Sequence, residues 1–105
     1  MKTDKLSWSE LSVFVCTKCS KEIAKDSLSQ EGEPAENLKN FLKSELNASG
    51  FKGKIRVMTS SCLGTCPSGE QAVAYMSTQD NSKKGVWICH PEKDKQEILQ
   101  KIKEL

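Results

Sequence analysis

Five cysteines in 105 residues are the side chains with the most chemistry to offer, and they include two close pairs, Cys16-x-x-Cys19 and Cys62-x-x-x-Cys66. Thiolate is a soft anionic ligand. Four converging sulfurs suit tetrahedral Zn²⁺, a single iron, or a 2Fe-2S cluster with two ligands on each iron, and do not suit Mg²⁺ or Ca²⁺. The second pair sits in Ser60-Ser61-Cys62-Leu63-Gly64-Thr65-Cys66-Pro67-Ser68-Gly69. This polar loop is a poor place to bury unused thiols, which otherwise prefer apolar interiors. Gly64 and Gly69 let backbone N–H groups turn toward anionic sulfur, although they serve an ordinary turn equally well. Cys89 ends an apolar stretch and reads as a packed core thiol. His90, just before Pro91, reads as a capping or exposed residue at a helix start rather than a ligand.

For the two pairs to meet, each needs an element that delivers it. Residues 11–15, Leu-Ser-Val-Phe-Val, are short, β-branched and aromatic and run directly into Cys16. They predict a buried strand with the cysteine at its C-terminal end, where open α/β sheets place their sites. Residues 54–58 alternate polar and apolar, predicting a half-buried strand that ends in the loop of Cys62 and Cys66. Between these strands, residues 17–33 predict a loop with a helical turn. Pro34 then opens an amphipathic helix carrying Leu38, Phe41, Leu42 and Leu46, which Asn47 and Gly50 stop. Residues 72–76 and 85–89 predict two strands joined by a hairpin loop. A last helix is expected to open at Pro91, with Ile98, Leu99, Ile102 and Leu105 on one face and Lys101 and Lys103 near its negative end. The order β-α-β-β-β-α predicts a parallel strand-helix-strand unit followed by a hairpin and a closing helix, giving a mixed four-stranded α/β sheet. Residues 1–10 carry no sustained period and predict a flexible N-terminal segment before a single domain over residues 11–105. Leu6 and Trp8 could still pack onto the domain edge.

Composition narrows the function classes. The 16 basic and 14 acidic residues leave a formal charge of +2, and the lysines are scattered among glutamates, so nucleic-acid binding is not expected. The longest apolar run falls far short of the roughly 20 residues that span a bilayer, so no membrane association is expected. With no secretion signal read at its start, the chain is expected to be soluble and cytoplasmic. Thiols stay reduced in that compartment, which favours metal or redox chemistry over a disulfide framework. No Ser-His-Asp set, paired acids or phosphate-cradling glycine loop supports a hydrolase or a nucleotide-binding protein.

Four stretches taken together resemble the thioredoxin-like 2Fe-2S ferredoxins, a family that includes the small cluster-bearing subunit of respiratory NADH dehydrogenase. They are Val13-Phe14-Val15-Cys16-Thr17, Ser61-Cys62-Leu63-Gly64-Thr65-Cys66-Pro67, residues 72–76, and Gly85-Val86-Trp87 with the helix that follows. In order and spacing the resemblance covers residues 11–105. It implies a thioredoxin-like fold, a 2Fe-2S cofactor with Cys16, Cys62 and Cys66 among its ligands, and an electron carrier rather than an enzyme. The family spaces its first two cysteines more widely than Cys16 and Cys19. Cys19 is therefore expected to supply the fourth ligand through a tighter loop, with Cys89 as the alternative. Zn²⁺ binding and a domain without a cluster remain open. Cys16-Thr17-Lys18-Cys19 also looks like a thioredoxin C-x-x-C capable of thiol-disulfide exchange, but no clear helix is legible after Cys16, and a dithiol gives Cys62 and Cys66 no role. An electron carrier would meet redox enzymes by transient docking, with Lys18 and Lys21 steering it toward an acidic patch. Whether it also pairs as a homodimer is not legible in the chain.

Overall fold

The computed structural model describes residues 1–20, 22–64 and 68–105. In chain order the elements are β1 (Leu11–Cys16), α1 (Thr17–Ser20), a 3-10 turn at Lys25–Ser27, α2 (Pro34–Ala48), β2 (Ile55–Ser60), β3 (Gln71–Ser77), β4 (Lys84–Cys89) and α3 (Lys95–Lys103). The strands form one sheet in the order β2-β1-β3-β4. β1 runs parallel to β2 from Leu11↔Ile55 to Cys16↔Ser60, and antiparallel to β3 from Leu11↔Ser77 to Val15↔Val73. β3 and β4 form the antiparallel hairpin, with Gln71 opposite Cys89. This is the mixed four-stranded α/β sheet with flanking helices expected from the element order, and it is consistent with a thioredoxin-like fold.

Side-chain periodicity decides which face is covered. Alternate β1 residues Leu11, Val13 and Val15 join Val57 and Val73 against Ala35, Leu38, Leu42 and Leu46 of α2 and Ile98, Leu99 and Ile102 of α3. The 3- and 4-residue steps along α2 put its four buried residues on one stripe. Both long helices therefore share one core on one face of the sheet. Fully burying each such leucine is worth about 1.5–3 kcal/mol, set against the entropy of ordering it. Phe14 and Cys16, of opposite parity, point to the other face.

The last helix starts later than expected. Residues 91–94 form turns and α3 begins at Lys95. The His90 side chain explains the delay, because its Nδ1 accepts the N–H groups of Glu92 at 3.1 Å and Lys93 at 3.0 Å while Asp94 Oδ2 accepts the His90 N–H at 2.7 Å. Side chains thus satisfy N–H groups that a helix would leave open. At the N-terminus, Trp8 packs on the sheet edge, donating its indole N–H to Ser12 Oγ at 2.8 Å beneath the Arg56 guanidinium. Leu6 stays exposed. Among the described residues no helix is long and apolar enough to cross a membrane.

Candidate metal centre

Cys16 ends β1 with its side chain fully buried, packed with Cys19 and Ala72 beneath Leu63. Four contacts fix its backbone and surroundings. Gln71 Nε2 donates to the Cys16 carbonyl at 2.7 Å and to the Ala72 carbonyl at 2.9 Å, Thr17 Oγ1 donates to the Ser60 carbonyl at 3.1 Å, and the Cys16 thiol reaches the Ser61 carbonyl at 3.8 Å. The chain turns at once into α1, so a short helix does follow Cys16, contrary to the sequence reading. Four residues, Thr-Lys-Cys-Ser, are too few to show a helical period, which is why the sequence conceals it. This turn aims the Cys19 N–H at Cys16 Sγ, 3.4 Å away. Burial pushes the Cys16 thiol pKa up, but hydrogen bonds from the Cys19 backbone and side chain and from the Lys18 and Leu63 backbones outweigh it and hold the thiol below its ordinary value.

The parallel register supplies the second segment. Cys16 lies opposite Ser60, and Cys62 follows two residues later, so strand spacing and chain length keep the two Cα atoms within about 12 Å. Cys62 is exposed, and its Sγ accepts the N–H of Gly64 at 3.4 Å. Gly64 makes that bond with φ of 78°, a left-handed conformation that favours glycine. The Gly64 N–H thus meets sulfur within a tight local turn at an exposed cysteine, a geometry that an ordinary turn shares. Cys66 lies outside the described residues. Among the described residues no three metal-ligating side chains come together. Cys16 and Cys19 form a buried pair, and Cys62 sits in the adjoining loop without joining it.

Cys89 has a different environment. It belongs to the helix-covered core, and its thiol reaches the Gln71 carbonyl at 3.5 Å. Burial pushes its pKa up to about 12, and the negative charges of Asp94, Glu70 and Glu97 add to the shift. The sheet itself separates this sulfur from that of Cys16, as expected of a core thiol.

Gln71 is the site residue that sequence reading misses, because it looks like the last polar residue of the loop. Parity could have found it: Gln71, Val73 and Tyr75 share the inward face of β3, so a fully buried glutamine there must spend its amide on local carbonyls. Among the described residues its Oε1 finds no hydrogen-bond partner.

The fold and the site together define a small α/β domain that gathers thiols at one end of a parallel strand pair. Comparison with protein-family models, curated proteins and solved structures finds no match to the chain.

Proposed function

We propose that the protein is a small electron carrier that holds a 2Fe-2S cluster on Cys16, Cys19, Cys62 and Cys66. The observation that supports this reading is the parallel pairing of β1 with β2 up to Cys16↔Ser60, which sets Cys16 beside the strand end that leads into Cys62. The chemistry of the donors suits such a group, since thiolates are the ordinary ligands of its irons. Two of the sulfurs already accept backbone N–H bonds at 3.4 Å, the interaction that stabilises thiolate and tunes a cluster's potential. When bound, the cluster would supply one-electron transfer. The chain's part is to hold the sulfurs, to keep water from Cys16 and Cys19 with Leu63 and Ala72, and to leave the Cys62 side open to a partner. Transient docking with redox enzymes fits this arrangement, and Lys18 is exposed beside the first pair. Lys21, the other expected steering residue, lies outside the described residues.

Protein prepared without oxygen should be coloured and carry about two irons and two acid-labile sulfides per chain. Cys19→Ser should weaken or abolish this loading, whereas Cys89→Ser, altering a thiol on the far side of the sheet, should leave it intact. The reverse result would make Cys89 the ligand. A colourless sample with one Zn²⁺ per chain would replace iron with zinc, and failure to take up iron even after anaerobic reconstitution would end the electron-carrier reading.

One observation favours a second reading, thiol-disulfide exchange at Cys16 and Cys19. The Cys19 N–H points at Cys16 Sγ and the Cys16 thiol pKa is lowered, as an attacking thiol requires. Burial opposes it, because Cys16 is 0% and Cys19 5% exposed and a substrate disulfide must reach the attacking sulfur. Reduction of a small disulfide by the metal-free protein, lost in Cys16→Ser, would support this reading.

A further inference from the structure

A groove of about 500 Å³ follows the outer edge of β2, walled by α2 on one side and by the chain around Trp8 on the other. No strand lies beyond β2 among the described residues, so the outward backbone groups of this edge have no strand neighbour. Four cations line the groove: Lys39 and Lys43, one turn apart on α2, with Lys52 and Arg56. Among the described residues no acidic side chain lines it. Glu36 is the nearby counter-charge, paired with Lys39 at 2.8 Å from outside the groove.

We infer that this groove docks an extended acidic segment of a partner protein, which joins the sheet as an added strand along β2. Five consecutive residues of the edge, 55–59, line the groove, a strand-length surface rather than a point. An added strand would present alternate side chains to opposite faces. On the α2 side they meet Lys39 and Lys43, and on the other side Trp8, Arg56 and Met58. The segment that fits therefore alternates acidic with apolar residues. A phosphate group fits less well, because the cations are spread along the edge and no helix N-terminus lines the groove, α2 contributing Lys39, Lys43 and Asn47 from its middle and carbonyl end. Since β2 ends at Ser60, two residues before Cys62, a docked segment would bring its protein to the cysteine end of the sheet. The docking itself does not depend on the electron-carrier reading.

The test uses the full chain as purified and a blocked peptide of about eight residues alternating Glu and Val, enough to cover the edge. Titration calorimetry should show saturable binding that weakens with added salt, and hydrogen exchange of the β2 amides should slow in the complex. Lys39→Glu with Lys43→Glu should weaken binding by about tenfold or more, while Lys83→Glu with Lys84→Glu, an equal charge change on the far hairpin, should not. A peptide of alternating Lys and Val should not bind. The inference is overturned if the Glu-Val peptide does not bind, if it binds the Lys39/Lys43 variant undiminished, or if β2 exchange is unchanged. It is equally overturned if inorganic pyrophosphate or a short oligouridylate binds the groove more tightly than the peptide, since the site would then be one for phosphates. None of these readouts involves metal content, so failure here leaves the cluster proposal standing, and the converse holds.

Discussion

At the scale of single residues, Cys16 and Cys89 show how neighbours decide what a thiol is. Both are buried, yet the pKa of one lies below the ordinary range and that of the other is pushed to about 12. Hydrogen-bond donors surround Cys16, whereas carboxylates face Cys89, and burial without donors penalises the charged form. Gln71 completes the picture as a buried strut between the Cys16 and Ala72 carbonyls. Gln71→Met keeps the length of the side chain and removes both donations. It should cost about 1–2 kcal/mol in urea denaturation, the loss of two buried bonds being partly offset by removal of the Oε1, which has no partner among the described residues. Hydrogen exchange should also quicken around Cys19. Unchanged stability would show that the strut contributes nothing.

Among elements, the turn before α3 is tied to the segment that follows the first cysteine pair. Glu92 accepts the Ser29 N–H at 2.8 Å, the Ser29 hydroxyl at 2.9 Å and the Gln30 N–H at 3.0 Å, while His90 Nε2 lies 3.2 Å from Ser27 Oγ. The Ser29 and Gln30 backbone N–H groups hold the Glu92 carboxyl below its ordinary value. The folded chain therefore binds this proton less readily than the unfolded chain. The carboxylate's contribution is complete above the ordinary glutamate pKa of about 4.3 and is lost as pH falls through the lower folded value. Thermal unfolding of the wild type and Glu92→Gln should differ most near neutrality and converge on acidification below about pH 4. A difference that stays constant with pH would exclude the carboxylate as its source. A similar tertiary fit operates on β4, where Gly85 lies under the Tyr75 ring and an added Cβ would meet the Tyr75 hydroxyl at 2.8 Å. That ring stacks on Trp87 at 4.2 Å, which accounts physically for the glycine in Gly85-Val86-Trp87.

For the molecule as a whole, the apolar core and the cysteine end are separate. Neither Cys16, Cys19 nor Cys62 belongs to the cluster formed by α2, α3 and the inner sheet face. The metal-free chain should therefore stay folded, with near-ultraviolet circular dichroism retained, while anaerobic reconstitution with iron and sulfide should raise its Tm and chelation should lower it again. Loss of the folded signal on chelation would mean that the core does not stand alone.

Local pattern along the chain determined the four strands, α2 and its Pro34 start, the apolar stripes of both long helices except for Leu105, which lies past the end of α3 and is exposed, and the core placement of Cys89, because each is a periodicity of 2 or 3.6 residues or a short-range stop signal. The same pattern misplaced the start of α3 and hid α1, since a side-chain cap around Pro91 and a four-residue turn leave no period to read. The residues that count most at the site were decided by distance in space. The pairing of Cys16 with Ser60 joins residues 44 apart, the Gln71 strut spans 55, and the β2 groove collects side chains from residue 8, from 39 and 43, and from 52 to 59. Register and burial are properties of the closed sheet, fixed only when strands distant in sequence meet and one face takes the helices.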